Sequence, residues 1–278
     1  MTGEFTSFED ERVPGWLPMC TDGMKYVVQS NEMIMARQSL SINAAKLIRL
    51  AIMQIKPSTD EIFDGYFISV SELSETLGVP SQNLYRDLDK ITDEIMTSFL
   101  EFKREDEGGK DGSFSKIAWA SRCDYVKKKG IFIRLNRALE PYLVGLKKFY
   151  TQYTFMEISR MKSIYAVRIY EMLNAKIDGD VFPKDGRNVV VTLDEIYEAC
   201  KIDSDSYNRI SDFKINVLDR AVKDINRCTM YDVKYSDIKD GRKIVGFNFN
   251  ILRDNIKALF IGREERERKY RRECTNET

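Results

Sequence analysis

The side chains best suited to chemistry in this chain are polar and basic groups on one predicted helix and the hairpin after it. Residues 207–250 read YNRISDFKINVLDRAVKDINRCTMYDVKYSDIKDGRKIVGFNFN. The first part carries apolar residues at the 3–4 spacing of a helix with one buried stripe: Ile210, Phe213, Val217, Leu218, Ala221, Val222 and Ile225. Two strand-like runs follow at 231–238 and 243–251, and the Asp-Gly between them favours a hairpin. A helix followed by a hairpin is typical of the second half of a winged helix, whose helix enters a DNA groove.

A helical wheel at about 100° per residue indicates which side chains of this helix face outward. Asp212, Asn216, Asp219 and Lys223 lie opposite the apolar stripe, and Arg220 and Arg227 flank them. Lys214 falls near the apolar side, so it can contact DNA only because it lies close to the start of the helix. An alternative for Arg220 and Lys223 is ion pairing with Asp219 and Asp224.

Composition excludes several kinds of active site. The chain has 278 residues, 44 basic and 44 acidic residues, and no histidine. The missing histidine removes Ser-His-Asp catalysis and histidine zinc ligands. The five cysteines are scattered without a C-x-x-C spacing, which favours free thiols in a reducing cytoplasm over a disulfide or metal framework. No apolar run approaches the ~20 residues of a membrane span. We therefore predict a cytoplasmic protein that is not an enzyme, with no catalytic residues, metal or cofactor and no membrane partner.

The first half of the chain repeats the helix-and-hairpin pattern. A packing helix is expected over 43–55 after a cap at Ser41, and a strand over 67–70 leads into a short helix capped by Ser71 and closed by Gly78. A longer helix capped by Ser81 would bury Leu84, Leu88, Ile91, Ile95 and Phe99. Its exposed side offers Gln82, Asn83, Tyr85, Arg86, Asp89 and Lys90, either for DNA contact or as a solvated face. Strands at 114–125 and 130–136 flank Lys127, Lys128 and Lys129, which suit phosphate contact or a plain solvated turn.

The same order of elements recurs at about 41–136 and 155–251. In the second copy, Ser163 and Thr192 are the expected helix caps, a helix is expected over 137–146, and 146–153 is the expected junction. The predicted fold class is α+β, with two tandem winged helices, mostly helical with small antiparallel hairpins. The predicted organisation is an N-terminal arm at 1–24, a first domain at 25–148, a second at 149–255 and a charged tail at 256–278.

Three motifs in this order resemble the iteron-binding replication initiators of plasmids, over roughly residues 26–251. They are VVQSNEMIMARQSLSINAAKLI at 27–48, MKSIYAVRIYEML at 161–173 and SYNRISDFKINVLDRAVKDIN at 206–226. The resemblance implies double-stranded DNA as partner, bound by monomers at repeated origin sites. It also implies a homodimer in equilibrium with the monomer that represses its own gene at an operator inverted repeat. The first domain would supply dimer and DNA-backbone contacts, and the second most base contacts. A host initiator ATPase and replicative helicase are the implied protein partners.

Carried over by position, the start of the family's recognition helix matches Asn208, Arg209, Lys214, Ile215 and Asn216. Several family members have successive arginines where this chain has Lys-Ile-Asn at 214–216, which predicts a less guanine-dependent site. Lys239, Arg242 and Lys243 on the hairpin complete the predicted DNA-binding set with Arg220 and Lys223. Two other functions stay open: a tandem winged-helix transcription regulator without initiator activity, and a scaffold for other proteins that binds no DNA.

Overall fold

The computed structural model describes residues 26–55, 65–78, 84–103, 113–126, 128–177, 183, 185–254, 257 and 259. The predicted N-terminal arm therefore lies outside the described residues, as do the predicted cap Ser81 and most of the tail. Residues 104–112, between the longer helix and the first hairpin, also lie outside them.

The first half of the chain combines short strands with two longer helices. Its elements are β1 (Tyr26–Ser30), α1 (Asn31–Met35), β2 (Arg37–Gln38), α2 (Ile42–Ile52), β3 (Tyr66–Ser69), α3 (Val70–Leu77), α4 (Leu84–Thr97), β4 (Phe99–Lys103), β5 (Phe114–Ala118), β6 (Ala120–Val126), β7 (Gly130–Leu135) and a 3-10 turn at Arg137–Tyr142. Helix α2 is buried along almost its whole length and packs against α3 and α4. It is the central helix of this half.

The second half repeats that plan. Its elements are β8 (Tyr150–Thr154), α5 (Phe155–Ser159), α6 (Ile164–Lys176), β9 (Arg187–Thr192), α7 (Leu193–Ala199), a 3-10 turn (Ser204–Ser206), β10 (Tyr231–Asp240) and β11 (Lys243–Arg253). Between that turn and β10, the consecutive segments Ile210–Phe213, Lys214–Asp219 and Arg220–Cys228 form one continuous helix, which we call α8.

Sheet order shows that the two halves are copies of one fold. The first half contains an antiparallel sheet in the order β3-β7-β6, and the second contains β9-β11-β10, with the strands in equivalent roles. In both copies the first strand leads into a short helix through a capping box, Ser69 with Glu72 and Thr192 with Glu195. The predicted α+β fold of two winged helices is confirmed.

The cap of α3 lies two residues before the predicted position. Ser69, not Ser71, occupies the N-cap, and its hydroxyl accepts from the Glu72 amide while the Glu72 carboxylate accepts from the Ser69 amide. The box requires a Glu or Gln three residues after the cap, and only Ser69 satisfies that spacing. Gly78 ends α3 in the left-handed conformation, as predicted.

Two expectations around α4 and the first hairpin are wrong. Phe99 belongs to β4 and is 48% exposed, because the helix ends at Thr97. The predicted strand over 114–125 is two strands that separate at the fully buried Trp119. The first of them, β5, pairs with β4, and the second, β6, pairs with β7, so one apolar run serves two sheets.

The predicted junction contains a strand that joins the two halves. Strand β8 pairs with β1 in antiparallel register, with Val28 opposite Gln152 at the centre. The last residues of the two strands, Ser30 and Thr154, are the N-caps of α1 and α5. Each copy therefore contributes the same strand, and the two pair about a local two-fold axis. The helix predicted over 137–146 is shortened to the 3-10 turn at Arg137–Tyr142.

Acidic side chains of α4 and α8 hold the start of each packing helix. Ser163 occupies the predicted cap position of α6, but its side chain makes no capping hydrogen bond. Instead, the Lys162 and Ser163 amides donate to Asp224 at 2.8 and 3.0 Å. In the first copy, Glu94 of α4 accepts from the backbone and the hydroxyl of Ser41. These bonds fix α4 and α8 relative to the buried helix beneath each of them.

Candidate nucleic-acid interface

Helix α8 packs its apolar stripe onto the hairpin sheet and α6. Phe213, Val217, Leu218, Ala221 and Ile225 are fully buried, which confirms the predicted stripe for these positions. Phe213 stacks on Phe247 of β11 with ring centroids 6.2 Å apart. The helix is thereby anchored on one side, and its other side is free to contact a partner.

A π-helical segment at Lys214–Asp219 interrupts the α-helical geometry of α8. The Asn216 side chain donates to the Asp212 carbonyl four residues earlier, at 2.9 Å. A side chain that bonds within the backbone ladder is one of the known causes of a local departure from α geometry. π segments occur frequently at functional sites. The sequence offered no sign of this segment, because apolar spacing averages over it.

The outer side of α8 presents most of the residues that the sequence predicted. Asn208 and Arg209 are exposed just before the helix, and Arg220 and Lys223 are exposed along it. Ile215 is 57% exposed. These side chains and the outer edge of Asn216 form one surface, which we call the α8 face.

Lys214 is held by the hairpin. Its Nζ lies 2.8 and 3.1 Å from the two carboxylate oxygens of Asp237 on β10 and 5.6 Å from the ring centre of Tyr235. The Lys214 side chain is only 28% exposed, as expected from its place near the apolar side of the wheel. Nothing in the sequence identifies Asp237 and Tyr235 as partners of this helix, because β10 reads YDVKYSDIKD and Asp237 is one of its three aspartates.

Tyr235 links the hairpin to the middle of α8. Its hydroxyl donates to Asp219 at 2.6 Å. Burial raises the pKa of Tyr235, and the hydrogen bond to Asp219 raises it further. The phenol therefore stays protonated and continues to donate at neutral pH.

The predicted alternative for Arg220 and Lys223 was an ion-pair network within the helix. Asp219 instead accepts from Tyr235, and Asp224 pairs with Arg227 at 2.6 Å. Among the described residues, neither Arg220 nor Lys223 forms an ion pair with these aspartates. Both side chains are exposed.

The hairpin tip adds three cations beside this helix. Strands β10 and β11 close through a two-residue turn, with Asp240 paired to Lys243 and Gly241 at φ 59°. Lys239, Arg242 and Lys243 are exposed there. The Lys214–Asp237 ion pair joins the same hairpin to the start of α8, so the tip and the α8 face belong to one surface.

The corresponding surface of the first winged helix is described only in part. Lys128 and Lys129 are exposed at the β6–β7 tip, and Lys128 has a φ of 65°. Tyr85 and Arg86 belong to α4, but their side chains lie outside the described residues, as do the whole of Gln82, Asn83 and Lys127. The contact predicted for these five residues stays a prediction.

Other kinds of site find little support in the described ranges. No group of three or more Cys, Asp or Glu side chains there could hold a metal ion. Cys123, Cys200 and Cys228 are free thiols, and burial raises the pKa of each. None of the described helices is long and apolar enough to cross a membrane.

Comparison with known proteins identifies the family. Residues 26–174 match the family model described as initiator replication protein, WH1, and residues 192–251 match initiator Rep protein, WH2. An uncharacterised 27.6 kDa protein of Escherichia coli is 26% identical over 239 residues, covering 81% of this chain and 93% of that protein. The crystal structure of the Pi initiator protein in complex with iteron DNA is 18% identical and matches with a TM-score of 0.68 over 84% of this chain and 99% of that one. Domains 2 and 3 of RctB match with a TM-score of 0.46 and 11% identity over 84% of this chain and 88% of that one. The chain belongs to the initiator replication protein family and carries both of its winged-helix domains.

Proposed function

We propose that this protein is a plasmid replication initiator that binds repeated double-stranded DNA sites at an origin through both winged helices. The observation that carries the proposal is the α8 face, an exposed helix side flanked by a basic hairpin tip, in a chain of the initiator family. A helix of this size fits the major groove, and basic groups at its edges contact phosphates.

Within this surface the residues divide by the contact they can make. Ile215 can contact a thymine methyl group, and Asn216 can contact an adenine edge. Arg220 and Lys223 on the helix and Lys239, Arg242 and Lys243 on the hairpin are suited to phosphates, as are Lys128 and Lys129 of the first winged helix. Lys214 has a different role in the free protein, because Asp237 holds it.

The proposed role extends from binding to initiation. Bound monomers promote origin opening and recruit the host initiator ATPase and the replicative helicase. A homodimer in equilibrium with the monomer represses the protein's own gene at an inverted repeat. The family assignment supports this part of the proposal.

The experiment that tests DNA binding is selection from a library of random duplexes at several salt concentrations, with sequencing of the bound fraction. The expected result is one enriched motif with strongly salt-dependent binding, since phosphate contacts release counterions. Absence of enrichment, or binding that is insensitive to salt, would instead favour a protein-binding scaffold.

A second experiment separates an initiator from a transcription regulator. The recovered motif is searched for in tandem at an origin, footprinted, and placed on a plasmid whose replication depends on the protein. An initiator supports replication of that plasmid, and the double substitution Arg220→Ala and Lys223→Ala abolishes it. Footprints at a promoter without replication would identify a regulator.

A further inference from the structure

The packing helices of the two winged helices meet through equivalent residues of opposite charge. Helix α2 follows Ser41 and helix α6 follows Ser163, and both segments read Ser-Ile-x-Ala-x-basic. Arg49 and Glu171 each lie eight residues after these serines. Two equivalent positions of the duplicated fold therefore carry an arginine and a glutamate, and the structure brings them together.

The contact between Arg49 and Glu171 is a two-point ion pair. Arg49 donates from Nε to Oε1 and from Nη2 to Oε2 of Glu171, both at 3.0 Å. Neither side chain has any exposed surface. Because the guanidinium and the carboxylate are both planar, two parallel hydrogen bonds fix their relative orientation as well as their distance.

Other buried groups complete the carboxylate's surroundings. Arg168 donates to Oε2 at 2.8 Å, the Tyr153 hydroxyl donates to Oε1 at 2.5 Å, and Gln29 donates to Oε1 at 2.9 Å. Gln29 and Tyr153 belong to β1 and β8, the paired strands that join the two halves. We call Arg49, Glu171, Arg168, Tyr153 and Gln29 the interdomain clamp.

Arg168 extends the clamp into the first half. Although it belongs to α6, its Nη2 donates to the carbonyl oxygens of Ile34 and Ala36. The clamp thus joins α2, α6, β1, β8 and the end of α1. No other fully buried charged group among the described residues bridges the two halves in this way.

Stability alone does not explain a buried clamp of this kind. Buried ion pairs lose most of their Coulomb attraction to desolvation, and apolar replacements are often equally stable. Within the part of the chain that the structure describes, the Nη1 atom of Arg49 and the indole nitrogen of Trp119 also find no hydrogen-bond partner, and the Arg49 guanidinium carbon lies 5.3 Å from the centre of the Trp119 ring. The Arg49–Glu171 pair instead favours contact between one first domain and one second domain. Contact between two first domains would place one Arg49 side chain against another.

We propose that the interdomain clamp fixes the angle between the two winged helices and thereby sets the spacing between the two DNA segments that one chain reads. This inference rests on the proposed function. Each added base pair moves one segment by about 3.4 Å and rotates it by roughly 34° about the DNA axis. A rigid pair of winged helices tolerates neither change, and a hinged pair tolerates both.

Arg49→Met is the informative variant, because it can break the clamp without stranding a charge. The substitution leaves Glu171 paired with Arg168 within α6, so the remaining buried pair is neutral. Methionine has a length similar to that of the arginine stem and fills irregular space well. Arg49→Lys retains the charge but loses the planar two-point contact, so its effect should be intermediate.

Glu157→Gln is the matched control. Glu157 is another fully buried carboxylate, but its partners Tyr170, Thr154 and Met230 all belong to the second half. The substitution perturbs a buried polar network of similar size, and Glu157 makes no hydrogen bond to a described residue of the first half.

The test measures binding to the selected DNA site with zero, two or five base pairs inserted between the segments protected by the two domains. Wild type and Glu157→Gln should lose about 100-fold in affinity on insertion, because simultaneous engagement of both segments is lost. Arg49→Met should bind the unmodified site with a several-fold lower affinity and lose only about three-fold on insertion. Equal insertion penalties for wild type and Arg49→Met would overturn the proposal.

A second arm does not depend on DNA. Spin labels at Lys129→Cys and Ser211→Cys, both exposed positions, report the distance between the two winged helices in a chain whose five native cysteines are alanine. The expected distribution is narrow for the wild-type clamp and for Glu157→Gln, and broad for Arg49→Met. If no duplex binds, the proposed function fails, and this arm still decides whether the clamp fixes the angle. An unchanged narrow distribution in Arg49→Met would refute it.

Discussion

Lys214 near the start of α8 and Asp237 on the hairpin form a half-buried ion pair with 2.8 Å between Nζ and Oδ1. The pair fixes the hairpin against the helix in the free protein. It also neutralises a cation that lies beside the proposed DNA surface. Asp237 therefore limits the positive charge available for non-specific binding, and its removal should change how the protein discriminates among DNA sequences.

Replacement of Asp237 by asparagine should increase non-specific DNA binding. Lys214 then becomes available to a phosphate. The slope of log affinity against log salt concentration should therefore become steeper by about 0.9. Affinity for random duplex should increase more than affinity for the selected site. Titration of both duplexes by fluorescence anisotropy at several salt concentrations measures the two effects.

Asp232→Asn provides the control for charge alone. Asp232 lies on the same strand, five residues before Asp237 and away from the hairpin tip. Asp232→Asn removes the same formal charge as Asp237→Asn. Because it does not release Lys214, it should leave the slope of log affinity against log salt concentration unchanged. An equal effect of both substitutions would show that net charge, and not release of Lys214, determines non-specific binding.

Ile215→Ala should weaken specific binding without affecting stability. The side chain is 57% exposed in the free protein, so its removal creates no cavity. Loss of a partly buried apolar contact in the complex corresponds to roughly 1 kcal/mol, about a five-fold loss of affinity. Two measurements separate specific binding from stability. They are the affinities for the selected site and for random duplex, and the unfolding midpoint in urea.

Val190→Ala on β9 is matched for exposure, at 53%. It lies on the sheet surface instead of the α8 face, so its affinity for the selected site should equal that of wild type. If Ile215→Ala also binds like wild type, Ile215 does not enter the groove, and the base-reading position lies elsewhere on α8.

The sequence predicted the repeated fold because that fold depends on local signals. Apolar spacing in α8, the Asp-Gly turn at 240–241 and the cap at Thr192 each act within a few residues of the chain. Ser69 was missed in favour of Ser71 because both are good cap residues and only the position of Glu72 distinguishes them. Local patterns therefore locate elements well and their ends less well.

Contacts distant in the chain were not predictable in the same way. The sequence places Arg49 in a packing helix, and an arginine on the buried side of such a helix needs a partner. Its partner lies 122 residues away, and no local pattern connects the two. Comparison of the two copies position by position would have paired them, since both follow the same Ser-Ile-x-Ala motif. The contact between Lys214 and Asp237 is not predictable from a local pattern either, because it depends on how the hairpin folds over the helix.

Replacement by alanine should destabilise the protein much more at one hairpin glycine than at another. A Cβ at Gly130 would lie 2.1 Å from the Ile68 carbonyl oxygen, so β3 must separate from β7. A Cβ at Gly241 meets no atom of the described residues within 4 Å, and the φ of 59° opposes substitution at a cost of about 1 kcal/mol. Urea unfolding should therefore show a much larger loss for Gly130→Ala. Similar losses for both variants would mean that the β3–β7 contact yields easily.

The interdomain clamp should make the free energy of unfolding dependent on acid pH through Glu171. Burial alone would raise the pKa of Glu171, but the Arg49 and Arg168 guanidinium groups outweigh it and hold the pKa at about 2. A carboxylate whose folded-state pKa lies below its unfolded value of about 4.3 stabilises the fold above that value and loses the contribution as pH falls towards 2. The contribution is on the order of 3 kcal/mol at neutral pH. Urea unfolding between pH 7 and pH 2.5 should show this loss in wild type and a flatter profile in Glu171→Gln.

Glu157→Gln should act in the opposite direction, because burial raises the pKa of Glu157 and its ionisation destabilises the fold as pH rises above about 4.3. Parallel profiles for wild type and Glu171→Gln would show that Glu171 does not remain ionised between its two arginines.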